Sequence, residues 1–149
     1  MRRIAFVTPV ALLLALVIAG CGSKPLSSVE LTKRATRVCQ VAGWQTDQIP
    51  TPSTPATSAL FLKRGIAVLT PELAQLRALR APSDVADVYA VSTESFAKKL
   101  RYLKDTVRDL AHGEDPVIAM QTLEQDLAPV EKQEDGAWQA LQIRACLNR

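Results

Sequence analysis

This chain of 149 residues contains one histidine and three cysteines, and these four side chains limit the chemistry that it can perform. A Ser-His-Asp or Cys-His system would have to use His112, and no nucleophile motif accompanies that residue. His112 stands at the end of a helical pattern, where a cation is favourable, so we expect a capping or surface role. The sequence therefore predicts no catalytic residue and a protein that is not an enzyme.

Metal and phosphate chemistry also lacks a sequence signal. One histidine, with Cys39 and Cys146 expected to be oxidised, leaves no zinc or copper ligand spacing. The acidic residues of the last helical pattern have no histidine at i+3, which Glu-x-x-His metal sites in bundles require. Their spacing predicts a solvated helix face formed by Glu124, Asp126, Glu131, Glu134 and Asp135. The six glycines are scattered singly, so no phosphate loop is expected. We expect neither a metal nor a cofactor.

The N-terminus has the pattern of an export signal. Met1-Arg2-Arg3 is cationic, residues 4–20 are uncharged and almost wholly apolar, and the segment ends with small Ala19 and Gly20. A permanent transmembrane helix is the alternative, but seventeen uncharged residues broken by Thr8-Pro9 are at the lower limit of a bilayer span. The arginine pair also suggests twin-arginine export. The rest of that motif is missing, which favours the general secretory route.

Ile18-Ala19-Gly20-Cys21 resembles a lipobox, the bacterial motif in which a cysteine thiol receives a diacylglyceryl group. The resemblance implies cleavage before Cys21 and an extracytoplasmic protein anchored to the cell membrane. Two or more acyl chains, such as palmitate, anchor a protein stably without a spanning helix. This divides the chain into a signal peptide (1–20), a lipid-anchored tether (21–26) and a domain (27–149).

The charge of the remaining chain is nearly balanced. The full sequence has 18 basic and 15 acidic residues, and removal of Arg2 and Arg3 leaves 16 against 15. A net charge of this size gives no general argument for nucleic acid as a partner.

Cys39 and Cys146 are the even pair that remains once Cys21 carries lipid. In an oxidising compartment such a pair favours a disulfide over two free, buried thiols. The bond would join the two ends of the domain across 107 residues of sequence. The loop-entropy model gives an upper expectation of about 4–5 kcal/mol for a loop of this size.

Apolar residues recur at helical spacing, and no strand alternation stands out. The first predicted helix spans 28–46, with Ser27 and Glu30 as a capping box and Leu26 and Leu31 as a hydrophobic staple. The second runs from Pro55, capped by Thr54, to about residue 80, and is kinked or split at Pro71.

Two further helices complete the prediction. The third, capped by Asp84, ends near Ala111 before His112-Gly113. The fourth, capped by Asp115 before Pro116, ends near Leu147 and bends near Pro129. Short links between amphipathic helices predict an all-α, antiparallel four-helix bundle with kinked helices. The first and fourth helices are then neighbours, joined by the disulfide.

Two surface features are candidates for contact with a partner. Lys98, Arg101, Lys104 and Arg108 form a basic stripe on the third helix, suited to anionic head groups or an acidic protein. The alternative to a partner surface is that these residues form an ordinary exposed helix face, which could pair with the acidic fourth helix. We expect Trp138 to lie in the core. Trp44, beside the loop 47–58, is a candidate to line a groove or meet a partner.

The lipobox, the helical domain and the end-joining cysteines together resemble the small uncharacterised lipoproteins of actinobacterial type. That resemblance transfers no catalytic residues. Two function classes remain for the domain. The favoured one is a non-enzymatic interaction or scaffold module of the cell envelope, with an envelope protein as partner. The other is a carrier or sensor of a small apolar ligand such as a lipid. It requires a cavity, which kinks at Pro71 and Pro129 would open between the second and fourth helices. Neither the oligomeric state nor the ligand is encoded in a recognisable motif.

Overall fold

The computed structural model describes residues 24–147, which form an all-α bundle. Its helices are α1 (Ser28–Asp47), α2 (Ser58–Ala78), α3 (Ala86–Ala111) and α4 (Pro116–Ala140), with short 3₁₀ helices at Pro55–Thr57 and Arg144–Cys146. Successive helices run antiparallel and pack as the pairs α1/α2, α2/α3 and α3/α4. The predicted fold class is confirmed, and no strand occurs within the described range.

α1 and α4 each begin with a side-chain cap at the residue that the sequence predicts. The Oγ atom of Ser27 accepts a hydrogen bond from the Glu30 backbone N–H at 3.2 Å. The Oδ1 atom of Asp115 accepts from the backbone N–H groups of Val117 and Ile118 at 2.8 and 3.2 Å. These bonds satisfy donors that a helix start otherwise leaves unpaired.

Asp84 does not cap α3 as predicted. The residue at the N-cap position is Val85, and no side chain caps this helix. The Asp84 carboxylate instead accepts a hydrogen bond from Ser28 Oγ at 3.1 Å, and so links the start of α1 to the segment before α3. Leu26 makes a second link there, because its backbone N–H donates to the Arg80 carbonyl at 2.9 Å. Leu26 also packs against the core.

Both internal prolines lie within continuous helices. α2 is a single helix through Pro71, so the alternative of two separate helices is excluded, and α4 likewise continues through Pro129. The predicted start of α2 at Pro55 is also wrong. Residues Pro55–Thr57 form a 3₁₀ turn, and Thr54 makes no side-chain cap. Each internal proline lacks the N–H that the carbonyl four residues earlier would accept.

The predicted end of α4 near Leu147 is wrong by about two turns, since the helix ends at Ala140. Gln142 adopts φ 58°, in the left-handed region. The Ile143 N–H donates to the Trp138 carbonyl at 3.0 Å, a bond that closes helix ends of this type. Glycine usually occupies the left-handed position, so a glutamine there gives no stop signal in the sequence.

The core is a contiguous cluster contributed by every helix. Its largest fully buried side chains are Trp138 and Phe96, with Leu31, Leu76 and Ile143 around them. The rings of Trp138 and Tyr89 meet edge to face with centroids 5.8 Å apart. The prediction that Trp138 is a core residue is therefore confirmed.

Cys39 and Cys146 form the predicted disulfide, with Cα atoms 5.2 Å apart and both side chains buried. The elements that it joins differ from the prediction. Cys146 lies in the C-terminal 3₁₀ helix beyond α4, and α1 packs against α2 and this 3₁₀ helix instead of packing extensively against α4. The early end of α4 causes this difference, because the last residues turn back along α1.

Removal of the disulfide should lower the stability of the domain without changing its fold. For the Cys39→Ala/Cys146→Ala double variant we expect the free energy of unfolding to fall by about 2–4 kcal/mol, because the unfolded chain regains the freedom of a long loop. Urea unfolding of both proteins measures this change. Addition of reductant should destabilise the wild type alone. An unchanged midpoint for the wild type under reductant would contradict the bond.

Candidate ligand-binding cavity

A cavity of about 320 Å³ lies among the four helices in the half of the bundle where α1 ends and α2 begins. Most of its wall is apolar. The apolar side chains that line it come from α2, α3, α4 and the loop after α1: Ile49, Phe61, Leu62, Leu69, Leu103 and Leu127. Its volume is at the lower end of the range of small-molecule sites, about 300–1,000 Å³.

The position of the C-terminal segment explains why this space exists. From Leu141 to Cys146 the chain runs along the first half of α1, near Leu31 and then at Cys39. Those residues hold α1 apart from α4. Beyond Cys39 the described residues place no such segment beside α1, and Ala42, Gly43, Thr46 and Asp47 of α1 line the cavity.

The two helix-internal prolines flank the same cavity. Leu69 and Glu72 of the lining stand on either side of Pro71, and Leu127 and Glu131 stand on either side of Pro129. A proline removes a backbone hydrogen bond and pushes the helix away from straight packing. The cavity that the carrier alternative requires therefore lies beside both prolines.

One wall of the cavity carries buried charge. Glu72 and Lys99 are only 2% and 5% exposed, and both line the cavity beside the half-buried Glu131. The Lys99 Nζ atom lies 2.9 Å from Glu134 Oε2 and 3.8 Å from Glu131 Oε1. It also lies 5.8 Å from the centroid of the Phe96 ring. Lys99 of α3 is thus close to two carboxylates of α4.

Glu134 belongs to the buried side of α4, which corrects the predicted solvated face. It is 1% exposed, because it packs between Lys99 and the core tryptophan. Its Oε1 atom accepts a hydrogen bond from the Trp138 indole N–H at 3.3 Å. Glu124 and Asp126 are exposed as expected, and Glu131 and Asp135 are half-buried.

Burial affects the protonation of two groups near this wall. It raises the pKa of the Glu134 carboxyl, and the neighbouring Lys99 ammonium and Trp138 indole offset this effect only in part. Burial also raises the pKa of the Tyr89 hydroxyl, which donates to the Leu76 carbonyl at 2.7 Å. The Tyr89 hydroxyl therefore fixes the end of α2 against the start of α3.

The basic stripe of α3 is exposed, and it lies outside the cavity. Lys98, Arg101, Lys104 and Arg108 all face solvent. Arg108 is held by Asp105 at 2.9 Å and by Asp109 at 3.7 Å. The Lys98 ammonium lies 5.6 Å from the centroid of the Tyr102 ring. The stripe pairs in part with acidic neighbours on its own helix, and only the buried Lys99 pairs with α4.

Trp44 is an exposed aromatic side chain on α1. Its side chain is 67% exposed, and Val41, one turn earlier, is 53% exposed. α1 packs against α2 and the C-terminal 3₁₀ helix, so this pair is separate from the basic stripe of α3. The two predicted partner-surface features therefore do not form one site.

The proline-rich loop forms a second depression of about 600 Å³ against the first half of α4. Residues 52–55 of the loop face Val117, Met120 and Gln121 there. It is a groove on the surface and carries no buried charge. His112 is exposed at the end of α3, where its backbone N–H donates to the Arg108 carbonyl at 3.0 Å. The predicted capping or surface position of His112 is confirmed.

Glu134 gives the domain a pH dependence whose sign can be tested. Because its pKa is higher in the folded state than the ordinary 4.5, its contribution to stability is complete below that value and is lost as pH rises through the folded pKa. The free energy of unfolding of the wild type minus that of Glu134→Gln should thus fall as pH increases from 4.5. Urea titrations of both proteins between that pH and about 8 measure the difference. A difference that grows with pH would show that the Lys99 pair outweighs burial.

Within residues 24–147, no group of three or more histidine, cysteine, aspartate or glutamate side chains is arranged to hold a metal ion. None of the described helices is both long and apolar enough to cross a membrane. Comparison of the chain with protein-family models, curated proteins and solved structures finds no match.

Proposed function

We propose that this chain is a membrane-anchored extracytoplasmic lipoprotein whose helical domain carries or senses a small apolar ligand. The observation that supports ligand binding is the cavity of about 320 Å³, lined mostly by apolar side chains from α2, α3 and α4. The sequence alone favours an interaction module over a carrier. The cavity reverses that order, because only the carrier class requires an internal apolar space.

The charged side chains that line the cavity restrict which polar group a ligand could carry. Three carboxylates line the cavity, those of Asp47, Glu72 and Glu131, against the single ammonium of Lys99. Lys99 is already within 2.9 Å of the buried Glu134. A ligand carboxylate would add a further anion to this acidic lining, whereas a ligand amine would bring the opposite charge. The best fit is an apolar body with one amine group.

The exposed pair Val41 and Trp44 supports a second function, recognition of an envelope protein. Tryptophan is enriched at the centres of protein interfaces, where its large ring is desolvated. Two exposed apolar side chains one turn apart on α1 provide an anchor of this kind. A carrier that delivers its ligand to a protein would use both features.

Membrane attachment rests on the lipobox-like residues 18–21, which lie outside the described residues. The described domain begins at Lys24, three residues after Cys21, so a lipid on that cysteine would hold the domain close to the bilayer. Two acyl chains on one cysteine provide the stable anchor that a single chain does not.

Lipid attachment can be tested by growing the host with an alkyne analogue of palmitate. The wild-type chain should incorporate the label, and Cys21→Ala should not, because the thiol is the acceptor. Cys39→Ala is the control and should keep the label, since its thiol is buried in the domain. In-gel fluorescence after coupling of the alkyne measures incorporation. Equal labelling of wild type and Cys21→Ala would refute the lipoprotein assignment.

Ligand binding can be tested by filling the cavity from a glycine. Gly65 lines the cavity and Gly136 does not, and a Cβ atom at either position meets nothing within 4 Å. Leucine is also a better helix former than glycine, so Gly65→Leu and Gly136→Leu should both fold. We expect the wild type and Gly136→Leu to bind dodecylamine, and Gly65→Leu to bind it at least about tenfold more weakly.

Isothermal titration calorimetry with dodecylamine, dodecanol and dodecanoate measures affinity and ligand class together. The amine should bind most tightly and the carboxylate least. No binding of any of the three by the wild type would contradict the carrier function. Equal binding of the amine by Gly65→Leu and Gly136→Leu would show that the ligand lies elsewhere.

A further inference from the structure

The near-neutral domain has opposite charges at its two ends. We call the end that follows the tether the tether-end surface, formed by residues 24–34, 77–87 and 135–147. Its solvent-accessible acidic residues are Glu30, Asp84, Asp87 and Asp135, so its formal charge is +2. Its six basic residues are Lys24, Lys33, Arg34, Arg77, Arg80 and Arg144.

The other end of the bundle is acidic. It comprises residues 44–64 and 105–118, whose basic side chains other than His112 are Lys63, Arg64 and Arg108. With His112 neutral, its formal charge is −2. Its five acidic residues are Asp47, Asp105, Asp109, Glu114 and Asp115. The two ends of the near-neutral domain therefore carry opposite formal charges.

The fold brings the basic residues together from segments far apart in sequence. The start of α1 and the links before α3 are joined by the bond from Ser28 Oγ to Asp84 and the bond from the Leu26 N–H to the Arg80 carbonyl. The end of α4 lies beside them, since Leu141 and Gln142 face the first turn of α1.

All six basic side chains of the tether-end surface are exposed. Arg34 pairs with Glu30 at 2.7 Å. That pair is neutral as a unit, so the surface keeps its formal charge of +2. Exposed cations of this kind attract anionic lipid head groups, and the attraction acts only within about one Debye length, some 8–10 Å.

The tether would keep this surface close to a bilayer. Between the proposed lipid site at Cys21 and Lys24 there are three peptide units, which span at most about 11 Å when fully extended. The acidic end cannot reach the same plane, because α1 alone has 20 residues and is about 30 Å long.

We infer that the tether-end surface rests on anionic lipid head groups and holds the bundle upright on the membrane. This inference rests on the proposed lipid anchor at Cys21. It also places the cavity away from the membrane, because the cavity lies in the half of the bundle that includes Asp47 and Phe61. The basic stripe of α3 extends towards the acidic end and is not the membrane-facing surface.

The experiment uses the full-length protein, extracted with its lipid and reconstituted in nanodiscs of phosphatidylcholine alone or with about 30% phosphatidylglycerol. Acetylation of lysines, followed by mass spectrometry, reports which side chains the bilayer covers. Lys24 and Lys33 are the test positions. Lys63 is the matched control, because it is also exposed but lies on α2 near its start.

We expect Lys24 and Lys33 to react at least about threefold more slowly in the anionic nanodiscs, and Lys63 to react equally in both. About 0.5 M salt should abolish the difference, since it screens surface charges. Arg77→Glu/Arg80→Glu should weaken the protection, and Lys63→Glu should leave it unchanged.

The contrary outcomes separate this inference from the anchor. A chain that enters neither type of nanodisc overturns the anchor and the inference together. A chain that is retained, but whose Lys24 and Lys33 react equally in both lipids, overturns the inference alone. Protection seen only in native envelope fractions, and not in anionic nanodiscs, would assign the tether-end surface to an acidic protein instead.

Discussion

Cys146 lies six residues beyond the end of α4, yet its sulfur is bonded to the middle of α1. The bond fixes the last described residues along the first half of α1, where a regular bundle would bring α1 against α4. It thereby sets the spacing of the two helices on one side of the molecule. In the other half, beyond Cys39, the same spacing leaves a space between the described helices, and this is the cavity.

The buried charges beside that cavity are costly for a small domain. A buried ion pair is seldom better for stability than apolar residues of the same size, because both groups lose their hydration. Here Lys99, Glu134 and Glu72 all lie below one-tenth exposure next to an apolar space. Packing alone does not require them. A polar wall in an apolar cavity orients a ligand that has one polar end. The proposed carrier function would therefore explain why these three charged side chains are buried here.

The sequence predicts the local elements of this fold well. Ser27 and Asp115 predict two helix starts, because their side chains accept hydrogen bonds from backbone N–H groups within the next turn. Gly113 marks the end of α3. Cys39 and Cys146 are recognisable as a pair by elimination. All of these features depend on neighbours in sequence or on the count of a residue type.

What the sequence does not predict depends on tertiary contacts or on an atypical residue. The end of α4 is missed because Gln142, not glycine, takes the left-handed position, and this single error places the disulfide on the wrong element. Glu134 is charged and appears solvated by its spacing, yet Lys99 and Trp138 hold it inside. The cavity and the tether-end surface form where segments far apart in sequence pack together, so no local sequence pattern predicts either of them.

The proposed membrane contact and the proposed ligand site combine into one mode of action, in which the domain stands on the membrane and its cavity lies away from the bilayer. The most direct test is native mass spectrometry of the full-length protein, gently extracted from its own envelope. The account predicts a reproducible small adduct that is present on the folded protein and lost when the protein unfolds. A bare folded mass in every preparation would contradict it.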